Sequence, residues 1–164
     1  MERGILLKSV KGKNRWIRIG IYIIFVTYIM ALSYFLFFAE NYGRAGVMRE
    51  YHYNLIPFKE IERFIIYREN LGFTAVALNL FGNIAVFVPF GFFVPMLSDR
   101  ERKWYALLFL CMEFSLAVEL TQLIFKVGSF DIDDIILNTV GGMIGFYGYC
   151  LVSAVRRKWN ENEE

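Results

Sequence analysis

The sequence predicts an all-α integral membrane protein: four transmembrane helices, with a short helix in the first outer loop. Of 164 residues, 57% are hydrophobic and 18% aromatic, and the mean hydropathy is +0.41. The charged residues, 21% of the chain, fall in blocks between four long apolar runs instead of being spread along it. A soluble domain needs charge distributed over its surface, so the blocks read as loops and the runs as spans. The net charge of +2 comes without a basic stripe interleaved with aromatics, which argues against nucleic acid and leaves anionic lipid as the electrostatic partner.

Residues 1–16 form a basic cytoplasmic segment with Arg3, Lys8, Lys11, Lys13 and Arg15, and the first span follows at 17–38. That run outlasts the roughly 7–15 residues of a signal-peptide apolar region, and no small-residue cleavage site follows it, so it is expected to remain as a helix. In the loop after it, Pro57 suits a first helical turn, and Phe58, Ile61, Phe64 and Ile65 recur at helical spacing. Lys59, Glu60, Glu62 and Arg63 border that apolar face, which predicts an interfacial helix that Gly72 could end. The other spans are expected at 75–97, 104–125 and 135–155, each matching the roughly 20 residues that a bilayer core of about 30 Å requires. Pro89 and Pro95 should kink the second, where neighbouring helices can satisfy the freed carbonyls. Residues 17–155 therefore read as one membrane domain and 156–164 as a cytoplasmic tail.

Orientation follows from basic flanks, because Lys and Arg resist translocation. The N-terminal segment, Arg100-Glu101-Arg102-Lys103 and Arg156-Arg157-Lys158 fall on one side of a four-span arrangement. Both termini are thus expected in the cytoplasm. The long first outer loop also carries Arg44, Arg49, Lys59, Arg63 and Arg68, but long loops weigh less in this rule.

With that orientation, the polar side chains of the spans share the outer half of the membrane. Asn79 and Asn83 are four apart on one face of the second span, and Glu119 and Gln122 three apart on one face of the third. Asn138 lies one turn into the fourth, just after Asp131, Asp133 and Asp134. Such groups are costly in hydrocarbon and should face the bundle interior and one another. The asparagines fit interhelical hydrogen bonds. Glu119, near several aspartates, points to function, because like charges so close call for a cation or a basic ligand. The candidate polar site is Asn79, Asn83, Glu119, Gln122, Asp131, Asp134 and Asn138.

Other features read more simply. The aspartates lack the ligand spacing and central glycine of an EF-hand, so no metal site is assigned and capping of the fourth helix is favoured. Gly141, Gly145 and Gly148 form a stripe that admits another helix backbone, in this chain or a second copy. Glu113 points away from Glu119 and reads as a packing or interhelical hydrogen-bond residue, His52 as a solvated side chain, and Cys111 and Cys150 as buried packing residues. No nucleophile elbow, phosphate loop, zinc helix or dinucleotide fingerprint is present, and no cofactor is expected.

Four separated segments resemble the VanZ-like family: Asn54-Leu55-Ile56-Pro57-Phe58; Asn79-Leu80-Phe81-Gly82-Asn83-Ile84 running into Phe87-Val88-Pro89-Phe90-Gly91; Glu119-Leu120-Thr121-Gln122; and Phe130-Asp131-Ile132-Asp133-Asp134 continuing through Asn138 to Gly141. The resemblance covers roughly residues 50 to 150. The family pattern often has an arginine before the first aspartate of the last segment, where this sequence has Gly128-Ser129-Phe130, with Lys126 as the nearest replacement. The resemblance implies a bacterial envelope membrane protein, since the family's namesake is linked with low-level teicoplanin resistance, without establishing a reaction. Three functions stay open. The leading one is noncatalytic engagement of an amphiphile, a membrane lipid or lipophilic envelope ligand, in the outer leaflet; the alternatives are an enzyme acting on a lipid head group with Glu119 as acid or base, and an oligomeric transporter or flippase.

Overall fold

The computed structural model describes residues 15–38, 51, 53–67, 73–98 and 102–162. Five helices appear among them: α1 (Arg15–Phe38), α2 (Lys59–Ile66), α3 (Phe73–Leu97), α4 (Trp104–Phe125) and α5 (Ile132–Asn162). A parallel bridge joins two-residue strands, β1 (Tyr53–Asn54) and β2 (Phe130–Asp131), with Tyr53 opposite Phe130 and Asn54 opposite Asp131. The fold is all-α apart from that bridge. By length and composition, Leu80–Leu97 of α3, the whole of α4 and the whole of α5 suit a membrane crossing, and α1 offers a shorter apolar stretch, Arg18–Tyr34.

Helix α3 continues through Pro89 and Pro95 to Leu97. Near its end, Arg102 Nε donates to the Pro95 carbonyl at 3.1 Å, supplying a cation and a donor where a helix leaves carbonyls unpaired. Helix α5 outruns the expected 135–155 at both ends, because polar turns there carry no apolar signal for a sequence reading to register. Helix α2 lies where its apolar spacing predicts, but Pro57 and Phe58 precede it. Phe58 sits in the left-handed region with φ 66°, and the helix closes at Tyr67, whose N–H reaches the Arg63 carbonyl. Gly72, His52 and the side chains of Phe64 and Asn79 lie outside the described residues.

The main packing seam joins α3 to α5. A Cβ placed on Gly141 would overlap the Ile84 carbonyl, one on Gly145 the Val88 carbonyl, and one on Gly91 the Gly142 carbonyl. From Gly141 at Ile84 to Gly145 at Val88 and Gly148 at Phe92 the contacts advance together along both helices, so α3 and α5 run parallel. Only glycine permits this approach, since any side chain would hold the backbones apart. Gly148 is looser: a Cβ there would meet the Phe92 ring at an ordinary 3.7 Å. The tight set is therefore Gly91, Gly141, Gly142 and Gly145, which keeps Gly141 and Gly145 of the expected stripe and leaves Gly148 at its edge.

Beside the seam, Phe90, Val94, Leu107, Cys111 and Phe146 form the apolar core, with Phe25, Tyr28 and Ile29 of α1 packed against it. The Tyr28 hydroxyl donates to the Val86 carbonyl at 2.7 Å, tying α1 to α3. Cys111 is buried as expected, but Cys150 is exposed: it follows Tyr147 by three residues and shares that helix's outward side. Phe109, Leu116, Leu120 and Ile124 on α4 and Ile144, Tyr147 and Leu151 on α5 also face outward. Apolar surface this continuous suits lipid better than water.

Candidate functional site

The polar groups concentrate where α5 begins. Asp131, the residue before the helix, accepts the Asp133 N–H at 2.9 Å and so caps α5. The same oxygen accepts from the Asn54 amide at 3.2 Å, which reinforces the bridge between β1 and β2. The Asp131 N–H in turn donates to Glu119 Oε2 at 3.0 Å, fastening the end of α4 to the start of α5. Glu119 is only 2% exposed.

Asp133, 1% exposed, turns away from its own helix. Its carboxylate accepts N–H groups from Phe58 at 2.5 Å, Glu60 at 2.8 Å and Ile61 at 3.1 Å. These are the donors that the start of α2 leaves unpaired, and Phe58 supplies no side-chain cap. A carboxylate from a distant part of the chain thus completes the short helix, at the end where its dipole favours negative charge. On the outer side of α2, Arg63 pairs with Glu60 at 2.6 Å. With Arg63 exposed and Glu60 half-buried, this local ion pair contributes little to stability.

Two further pairs lie along the helices. The Asn83 amide donates to Asp134, linking α3 to α5. The Asn138 amide donates to Ser115 Oγ at 2.9 Å, linking α5 to α4, and Asn138 is 2% exposed. Gln122 is buried on the same side of α4 as Glu119 and Ser115. Among the described residues, every buried side-chain nitrogen and oxygen has a partner. That is the condition for placing such groups in a low-dielectric interior. The Asp131 carboxyl is raised above its ordinary value, first by burial; hydrogen bonds from the Asp133 N–H and the Asn54 amide oppose this, and the charges of Asp133 and Glu60 add to it.

The predicted residues therefore fall into three linked groups: Glu119 with Asp131, Asn83 with Asp134, and Asn138 with Ser115, which the prediction left out. Ser115 was within reach of sequence reasoning, being four residues before Glu119 on one helical face. The roles of Asp133 and Asn54 were not, since both depend on pairings between distant segments. Lys126, the nearest replacement for the missing arginine, ends α4 with φ 54° and lays its ammonium 4.3 Å from the centre of the Tyr51 ring. Among the described residues, no three His, Cys, Asp or Glu side chains are arranged to hold a metal ion.

The sequence model of the VanZ/LLP1 family matches residues 25–153, which include every pairing just described. The chain belongs to the VanZ/LLP1 family. Protein VanZ of Enterococcus faecium is 31% identical to it over 127 residues, covering 76% of this chain and 70% of that protein. No solved structure gives a match. Family membership and the long apolar helices together make this a VanZ/LLP1 membrane protein. The family match also takes in β1 and α2, so the segment that Asp133 holds is part of the VanZ/LLP1 unit and not an addition to it.

Proposed function

We propose that this protein crosses a bacterial plasma membrane four times with both termini cytoplasmic, and engages an amphiphile in the outer leaflet through the polar end of its bundle. The amphiphile is a lipid-linked wall component or a lipoglycopeptide, and its capture contributes to teicoplanin tolerance. The basic flanks support the orientation. The parallel course of α3 and α5, with α4 between them in sequence, supports successive crossings in alternating directions.

One observation carries the ligand class. Buried Asp133 and Glu119 are tied, directly and through Asp131, to a segment whose Tyr53, Leu55, Ile56 and Phe58 are exposed. Acids and amides beside an apolar skin match a molecule with a basic or hydrogen-bonding head and an apolar tail. Noncatalytic binding is favoured because these carboxylates are engaged in holding backbone and amide groups, as the Asp133 and Glu119 contacts illustrate.

Teicoplanin and vancomycin susceptibility in a sensitive Gram-positive host tests the reading, comparing wild type, Glu119→Gln and Asp134→Asn at matched membrane abundance. Selective protection against teicoplanin by wild type, lost in both variants, is the expected result. No protection by wild type removes the resistance role, and full protection by both variants removes the polar end from it.

A further inference from the structure

We propose that the outward face of α4 is a homodimer interface, in which Glu113 of one copy meets Glu113 of a second copy within the membrane. Helix α4 buries Leu107, Cys111, Ser115, Val118, Glu119 and Gln122 on its inward side. Its other side presents Phe109, Met112, Leu116 and Leu120 as an exposed apolar lane at helical spacing. Glu113 is also exposed, in the middle of that lane. It lies nine residues after Trp104 and twelve before Phe125, so about 13 Å and 18 Å of helix separate it from the two ends. A glutamate side chain is too short to reach an interface from there.

A carboxyl at that depth facing lipid is costly, and such groups are found paired. Among the described residues Glu113 has no partner, and a second molecule at the same depth can supply one. A second copy fits for three reasons. Copies inserted in one orientation and related by a two-fold axis along the membrane normal bring the same residue to the same depth. Two carboxyl groups sharing one proton supply each other's donor and acceptor. The rest of the lane is apolar and so adds no opposing charge. The outward lane of α5, Val140, Ile144, Tyr147 and Leu151, has similar spacing but no charge, and requires no such partner. This proposal depends on α4 crossing the membrane and not on the ligand-binding reading.

The test uses the full chain in phosphatidylcholine vesicles. Cys150 is exposed and Cys111 buried, so Cys150 accepts donor or acceptor dye, and energy transfer is followed as the protein is diluted with lipid. Wild type is expected to associate. Glu113→Leu should lower the association constant about tenfold, equivalent to about 1.4 kcal/mol, and Glu113→Gln should retain most of it because an amide also donates and accepts. In a Cys150→Ser background, Leu116→Cys should form a disulfide-linked dimer on mild oxidation, and Ile144→Cys should not. Glu113 lies outside the core, so helicity by circular dichroism should match wild type in each variant. Absence of a Leu116→Cys dimer, or equal association of Glu113→Leu and wild type, overturns the proposal. So does cross-linking confined to native membranes and to a different protein, which would assign the face to a foreign helix.

Discussion

Along the seam between α3 and α5, two helices approach until backbone meets backbone, with Gly91 against the Gly142 carbonyl and Gly145 against that of Val88. At the start of α5 the cohesion is of another kind: Asp133 holds the N–H groups of a helix that begins more than 70 residues earlier, and Glu119 holds the backbone of Asp131. The seam depends on shape and cannot accept added volume. The polar end depends on satisfied donors and acceptors, and cannot lose one without leaving another buried and unpaired. Lipid sharpens the contrast, because apolar side chains gain little by leaving hydrocarbon for one another, and close fit and hydrogen bonding are left to distinguish the folded bundle.

The largest effect should come from adding volume at the seam. Gly145→Leu places a side chain where the Val88 carbonyl and the Phe92 N–H already lie, so α3 and α5 must separate along their length. Overpacking of this kind costs about 3 kcal/mol or more when backbone is in the way, and most of the protein should fail to reach the folded state. Gly148→Ala, at the looser position, should leave stability within about 0.5 kcal/mol of wild type. Thermal unfolding in detergent, followed by circular dichroism, separates the two. Equal melting of both variants would show that the seam is not set by glycine contact.

An intermediate effect should follow from removing an acceptor. Asp133→Ala leaves the N–H groups of Phe58, Glu60 and Ile61 without their carboxylate, a loss of about 1–3 kcal/mol concentrated on the segment from β1 through α2. Hydrogen exchange should rise within 59–66 and stay unchanged along α3 and α5. Faster exchange throughout would mean that the two regions form one cooperative unit, and the distinction between them would fall.

The difference in kind also explains what was legible in the sequence. Spans of apolar residues announce α3, α4 and α5, and glycines three and four apart announce a close seam, because both signals repeat within one helix. Of the expected stripe, Gly141 and Gly145 do touch the opposing backbone and Gly148 stands looser, while Gly91 could not be paired with them from the sequence because it comes from the opposing helix and the contact register depends on both. At the polar end, residue type and position along the spans drew attention to Glu119, Asp131 and Asp134. The assignment of partners was out of reach. Asp133 stands in a run of acids that all look like caps for α5, and nothing local marks it as the cap of α2. Phe58 is equally opaque, because a left-handed aromatic before a helix has no propensity that would predict it. Pairings this distant come from how the elements pack, which periodicity along a single helix does not encode.

The smallest and most selective probe is charge. Asp131→Asn keeps an oxygen to accept from the Asp133 N–H and the Asn54 amide, so it changes ionisation with little change in shape. Burial raises the Asp131 carboxyl above its ordinary value, so the native state holds a proton more readily than the unfolded chain does. The associated stability is fully present below the unfolded value, about 3.9, and is lost as pH rises through the higher native value. Urea unfolding in detergent across that window should therefore show the Asn variant gaining on wild type as pH increases, with the gap constant once the native carboxyl has ionised. Gly148→Ala, measured in parallel, should track wild type at every pH, since the seam places no ionisable group at that position. A gap that does not change with pH would mean that the amide bond from Asn54 and the Asp133 N–H offset burial completely. The polar end would then be held, like the seam, by contacts indifferent to proton concentration.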